Sequence, residues 1–302
     1  MEKQKIFTEE EQKAVQKQRR KEDRKAFFRV LFGRGILAKV CFGILAVFVF
    51  AALLAPWLTQ YSPYEQDLMH ACEKPNAVHL LGTDNLGRDM LTRVLYGARI
   101  SLCTGILSSI WATIIGVTLG LIAGYYGGVT GGTIMRLVDA QLSIPPLILT
   151  MCLAAVFGGS IVSISFIIGI SSVPTYVRMV YGQVLSLREN DYVAAASLIG
   201  QSKLKIMFKH LMPNCFATII VLFSQTVGAA ILIEAGLAYL GVGITAPTPA
   251  WGTMVSEGYT YITFYPHMAL APGLALMLVI IALNIVGDGL RDALDPRLRG
   301  KL

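Results

Sequence analysis

Residues 101 to 125 read SLCTGILSSIWATIIGVTLGLIAGY, twenty-five positions without a Lys, Arg, Asp or Glu. A bilayer core is crossed by about 20 apolar residues in a helix, and lipid tolerates only helices and closed barrels because every backbone polar group must be satisfied internally. The run is therefore a transmembrane helix. Gly116, Gly120 and Gly124, spaced four apart on one face, would let a second helix pack closely against it.

Five more stretches of the same character flank it: Ile36 to Leu58, Met135 to Phe157, Ser160 to Val180, Cys215 to Leu240 and Met268 to Gly287. Only Gly158 and Gly159 separate the third span from the fourth, which predicts a tight helical hairpin. The fold class is all-α, a polytopic membrane protein of six transmembrane helices. Of the 302 residues 15% are charged and 54% hydrophobic, where a soluble domain would carry about 25% charge. A soluble enzyme is thereby excluded. The five cysteines are dispersed and form no C-x-x-C pair, so they read as small buried apolar side chains rather than a disulfide framework or zinc site. The charged first 35 residues do not fit a cleaved signal peptide.

Lys and Arg accumulate on the cytoplasmic side of membrane proteins. Six spans put 22 of them on the side of the amino-terminal tail and four on the other, namely Lys74, Arg88, Arg93 and Arg99. Both termini are expected in the cytoplasm of a cell whose inner or plasma membrane holds the chain. The basic tail reads as a topology determinant near anionic lipid, and too few aromatic residues accompany its cations for nucleic-acid binding. The chain thus divides into a basic cytoplasmic tail (1–35), a first transmembrane helix with an extracytoplasmic loop (36–100), a five-helix core (101–290) and a cytoplasmic tail (291–302).

Between the fourth and fifth spans, residues 181–214 form a polar connection far longer than two packed helices require. Asp191 can cap a helix through Tyr192, Val193, Ala194, Ala195 and Ala196. Gly200 interrupts it. Ser202 can cap a second helix in which Leu204, Met207, Phe208 and Leu211 make one apolar stripe, opposite Lys205 and Lys209, and Pro213 ends it. An interfacial helix lying on the inner leaflet would have the same pattern.

Ala195-Ala196, three residues, Gly200, and an apolar stretch closing at Pro213 resemble the E-A-A-x-x-x-G signature of the membrane subunits of binding-protein-dependent ABC importers. Ala194 stands at the signature's acidic position, with Glu189 and Asp191 close by, and Met212-Pro213 stands for its Leu-Pro. Gly82-Thr83-Asp84-Asn85-Leu86-Gly87-Arg88-Asp89 is similar to the block preceding the second span in the dipeptide, oligopeptide and nickel permeases. Pro249-Ala250-Trp251-Gly252 and Gly287-Asp288-Gly289-Leu290-Arg291-Asp292, with Asp295-Pro296-Arg297, are similar to the same subfamily. The resemblance runs from Ile36 to Arg299. It implies an ABC importer type I-like transmembrane domain whose cytoplasmic coupling helices dock on an ATPase subunit. It also implies a second permease, two ATPase subunits and an extracytoplasmic solute-binding protein as partners, and small peptides as cargo, with nickel or a metal chelate as the alternative. This chain then binds no cofactor, ATP and Mg being held by the ATPase subunits.

Read without the resemblance, Thr83 is a helix cap, and Asp84 and Asp89 sit near a helix start where acids are favoured. The block then either shapes the mouth of the second span, the favoured reading, or contacts a binding protein. A charge at bilayer depth costs about 2.5–3.5 kcal/mol on insertion scales, so Glu234, the one acid well inside a span, needs a partner. It is either a pathway or proton-relay group or, as favoured, a packing acid bonded to a neighbouring backbone or hydroxyl group. Arg136 and Asp139 can offset each other on one helix face, and Arg178 snorkels to the surface. Pro145, Pro146 and Pro174 interrupt the third and fourth spans and free backbone groups that a neighbour must satisfy. No phosphate-binding G-x-x-x-x-G-K-[ST] loop occurs, so the chain is no ATPase, and no hydrolase motif occurs either. A secondary transporter, which would show repeats and several midplane charges, is the remaining alternative.

Overall fold

The computed structural model describes residues 36–294; the basic tail and residues 295–302, with Asp295, Pro296, Arg297, Arg299 and Lys301, lie outside the described residues. Ten α-helices carry the described chain: α1 Ile36–Leu58, α2 Met90–Tyr126, α3 Gly128–Leu142, α4 Pro146–Phe157, α5 Ile161–Leu187, α6 Asp191–Leu198, α7 Lys203–Ile206, α8 Met212–Tyr239, α9 Trp251–Tyr259 and α10 His267–Leu294. A π-helical stretch, Met207–Leu211, joins α7 to α8. Among the described residues the only β-pairing is one isolated bridge, Thr83 to Asp89.

Five helical runs are long and apolar enough to cross a bilayer, and α3 and α4 reach that length and hydropathy only as a pair, bent by 88° at their junction. The third span is therefore not the straight helix from Met135 to Phe157 that the hydropathy suggests. Pro145 takes the extended φ/ψ of a cap and Pro146 begins α4, because proline lacks the N–H that would continue α3 and biases the preceding residue away from helix. The second span also begins eleven residues earlier than Ser101. A 37-residue helix is about 55 Å long, so its first turns, with Arg93 and Arg99, extend past a hydrocarbon core about 30 Å thick. Their charge had masked them as helix. The Gly158-Gly159 hairpin is present, with Ser160 accepting from the Ser163 amide at 3.1 Å to cap α5.

The principal seam is α2 against α5. A Cβ built on Gly120 would lie 2.8 Å from Val180 Cβ and 3.0 Å from the Val177 carbonyl, and one on Gly124 would lie 2.7 Å from Val184 Cβ. Gly116 meets Tyr176 more tightly still, and Gly169 of α5 receives Trp111. The four-residue glycine spacing thus brings two backbones together, as small residues do where lipid supplies no hydrophobic drive. Around that seam a buried cluster joins Leu121, Tyr176, Val180, Val184, Met207 and Leu211. Of the cysteines only Cys41 and Cys215 are buried; Cys103 and Cys152 are exposed on the sides of membrane helices, where lipid costs a thiol nothing.

Pro174 is accommodated inside α5 and is buried. The carbonyl its missing N–H leaves free, that of Ile170, accepts from Gln141 Nε2 of α3 at 2.8 Å. Asp139 pairs with Arg178 of α5 and not with Arg136, because the α3–α5 contact brings a guanidinium from another helix to it. Arg178 is anchored by that pair rather than simply snorkelling.

Candidate functional site

At one end of the bundle, here termed the elbow end, α6 and α7 meet at Gly200. Asn190, not Asp191, holds the cap position of α6, and its side chain turns back to donate to the Leu187 carbonyl at 3.0 Å. Asp191 is the first helical residue, where a carboxylate meets the positive end of the helix dipole. The helix closes with Gly200 N–H donating to Ser197 O at 3.0 Å and Gln201 N–H to Ala196 O at 3.1 Å. These are the two bonds of a Schellman cap, which needs a left-handed residue between them. Gly200 supplies it, with φ +77°, and a Cβ there would meet nothing within 4 Å.

Ser202 accepts from the Lys205 amide and caps α7 as expected. The predicted apolar stripe is only half right. Met207 and Leu211 are buried with Ile206, while Leu204 and Phe208 are exposed. The π-helical stretch causes the shift: Met212 N–H donates to Met207 O five residues back, and the extra residue per turn moves the buried face. The same stretch explains why Pro213 does not end the helix. Pro213 follows the π-helical stretch in the first turn of α8, and the helix runs on through it to Tyr239.

The elbow is braced to the bundle. Val193 and Ala196 belong to the α2–α5 cluster, Arg188 Nη1 donates to the Gly124 carbonyl at 3.0 Å, and Lys203 Nζ lies 5.1 Å from the Tyr126 ring centroid. His210 Nε2 and Gln201 Oε1 are 2.9 Å apart. What faces away is apolar or small: Leu198 is 88% exposed, Ile199 78%, and Ala194 and Ala195 are exposed beside them, with Lys205 and Lys209 on the flank. A cavity of about 490 Å³ lies at this end among α5, α8 and α10, with Asn214, Thr218, Gln225 and Arg291 in its wall.

At the opposite end, here the loop end, the 82–89 block is one folded unit. Asp84 Oδ1 accepts from the amides of Leu86 at 2.9 Å and Arg88 at 3.0 Å, a side-chain-closed turn. Thr83 is not a helix cap: its hydroxyl donates to His70 O and accepts from the Glu73 amide at 2.8 Å, closing the loop before it. Asp89 is the cap, accepting from the Thr92 amide at 2.7 Å and facing His79 Nδ1 at 3.0 Å. Gly82 abuts the His267 ring and Gly87 the backbone of Asp67, leaving neither room for a side chain.

Asp84 Oδ2 also accepts from Arg88 Nε at 2.6 Å. Arg88 and Arg93 both reach Glu257 of α9, at 3.3 and 3.4 Å. Sequence reasoning missed Glu257, since no motif of its own marks it and only the fold brings it across 164 residues to Arg93. Trp251, at the start of α9, is fully buried; its Nε1 donates to Val94 O at 2.9 Å, and its ring covers Gly97 and stands edge-on to Phe48 at 5.5 Å. The two sequence blocks around Asp84 and Trp251 thus lock together over the start of α2. Nearby, the Asp67 carboxylate holds His70 above its usual range and is itself held down by that contact.

Glu234 is fully buried in α8, and among the described residues neither carboxylate oxygen has a hydrogen-bond partner. The expected bond to a neighbouring backbone or hydroxyl group is therefore not made. Ala230 and Leu237, one turn to either side, pack into an aliphatic cluster with Ile164, Ile167 and Ile168, which offer no donor.

Comparison with known proteins places these features in company. Residues 116–300 match the family described as binding-protein-dependent transport system inner membrane component, and residues 32–77 match the N-terminal transmembrane domain of oligopeptide transport permease C. The chain is 42% identical over 263 residues to the dipeptide transport system permease protein DppC of Alkalihalophilus pseudofirmus, covering 87% of this chain and 86% of that one. It is 41% identical over 272 residues to the di/tripeptide transport system permease protein DppC of Pseudomonas aeruginosa, covering 88% and 89%. A structure of the MetNI methionine ABC transporter in inward-facing conformations superposes with TM-score 0.56 at 17% identity, covering 68% of this chain and 98% of that one. That likeness is one of fold.

Proposed function

The chain belongs to the family of binding-protein-dependent transport system inner membrane components, and from that premise we propose that it is the membrane-spanning permease subunit of an ATP-driven importer, conducting small peptides. The elbow carries the reading: a braced pair of helices presents Leu198, Ile199, Ala194 and Ala195 to a partner, on a chain without a phosphate-binding loop. That partner is an ATPase subunit, which alone holds ATP and Mg. A second permease completes the pathway, two ATPase subunits drive it, and a solute-binding protein delivers cargo at the loop end. The names of the relatives, dipeptide and di/tripeptide permeases, favour peptide over nickel.

Purified alone, the chain is expected to hydrolyse no ATP above background. In proteoliposomes with a second permease, ATPase subunits and peptide-loaded binding protein, hydrolysis rises and labelled dipeptide accumulates. ATP turnover by the isolated chain, or uptake of nickel in place of dipeptide, overturns the reading.

The same reading puts the elbow in the cytoplasm and the 59–89 loop outside. In a variant lacking the native cysteines, Val78→Cys, exposed in the loop, is expected to react with an impermeant maleimide in intact cells. Ser197→Cys is expected to react only after the membrane is opened, and the reverse pattern would invert the topology.

A further inference from the structure

Beneath the loop-end charges lies a small cavity walled by Asp84, Met90, Arg93, Met254, Gly258 and Met268, with Glu257 at its mouth. Every wall residue is buried, and Glu257 is 31% exposed at its side chain. The centre of a water molecule has about 10 Å³ in which to move there, which is room for about one. Arg93 is 1% exposed, yet its Nε and Nη1 have no hydrogen-bond partner in the protein. Nη1 lies 3.4 Å from Asp84 Oδ2 without hydrogen-bond geometry, and Nη2 reaches Glu257 only at 3.4 Å. A buried guanidinium left with two unpartnered nitrogens is costly, because a charged group taken from water loses its solvation unless its hydrogen bonds are replaced.

We propose that this cavity is a binding site for a single water molecule, which accepts from Arg93 and donates to the carboxylates of Asp84 and Glu257. One water can accept from an unused N–H of Arg93 and turn its own two O–H groups to the two carboxylates. Charge selects water over an anion. Arg88 and Arg93 are balanced by Asp84 and Glu257, so a halide would meet two acids at close range with no cation left uncompensated. The water is the fifth member of a junction that ties the loop, the first turns of α2 and α9 into one body. The inference is independent of the transport reading, since it rests on the cavity and on Arg93.

Radiolytic footprinting tests it on the unmodified chain in its assembled complex. Synchrotron pulses make hydroxyl radicals from water wherever it sits, so a water held in the cavity should oxidise Met254 and Met268 within milliseconds. Met207, equally buried at 1% exposure and away from the cavity, should stay unmodified. Chloramine-T, a bulky oxidant acting from bulk solvent, should leave all three alike. Met254 and Met268 as silent as Met207 under radiolysis would mean a dry cavity and overturn the proposal. Oxidation of the pair by chloramine-T would mean a crevice open to solvent and overturn it equally.

Discussion

Gly120→Leu is expected to abolish accumulation of a folded chain. Even a lone methyl at that position would sit 2.8 Å from Val180 Cβ and 3.0 Å from the Val177 carbonyl, and a leucine adds three more carbons. The α2 and α5 backbones would have to separate along the seam that organises the bundle. Overpacking of a tight interface costs about 1–3 kcal/mol and sometimes more, and here a backbone carbonyl, which cannot rotate away, is one of the obstacles. With native stabilities of about 5–15 kcal/mol, detergent-solubilised Gly120→Leu should give little monodisperse protein by size exclusion and a melting temperature lowered by many degrees. Gly43→Leu is the control. Gly43 is exposed on α1 with nothing within 4 Å of an added Cβ, so that variant should behave as wild type. Equal behaviour of the two variants would remove the glycine seam as the organiser of the fold.

Gly200→Leu should do the opposite, leaving the fold and removing transport. The elbow has open space, so no neighbour is struck, but φ +77° is a region where a leucine costs about 1–2 kcal/mol. The cap unwinds before the bundle does, and Leu198 and Ile199 lose their fixed direction. Insertion and melting temperature should stay near wild type, while peptide uptake and substrate-stimulated ATP hydrolysis fall at least tenfold. Gly200→Asn separates two causes. Asparagine tolerates the left-handed conformation, so it should restore most coupling if backbone geometry is what matters, and none if a partner needs the bare backbone. Lys205→Ala, an exposed charge on the flank, should have a small, salt-dependent effect. Normal uptake by Gly200→Leu would reduce the elbow to an ordinary connection.

Much of this architecture was legible in the sequence because lipid restricts the options so severely. Apolar length located most of the spans, glycine spacing announced a close helix contact on the second span without naming its partner, and Gly200 marked the elbow. What was missed shares one physical character: it depends on which element lies beside which. Hydropathy cannot see that α2 continues through Arg93, since burial of that charge is made possible by Asp84 and by Glu257 from α9. Nor could pairing along one helix reveal that Asp139 answers Arg178. The capping signal was read one residue off at Asp191: Asn190 holds the cap position by its backbone, while its side chain serves the end of α5. The fate of Glu234 was misjudged in the other direction, for composition demands a partner and the aliphatic packing around it gives none.

The π-helical stretch between α7 and α8 acts as a phase shim. An α-helix advances about 100° per residue, so the one surplus residue in Met207–Leu211 sets the azimuth of the elbow relative to the membrane-facing stripe of α8. Removing one residue there would let the stretch relax to ordinary helix only by pulling Met207 and Leu211 out of the buried cluster that also holds Val193 and Ala196 of α6. The elbow would be driven about 100° around the axis of α8 against the contacts that brace it, so the direction it faces is written twice, as a count of residues and as the packing that count has to match.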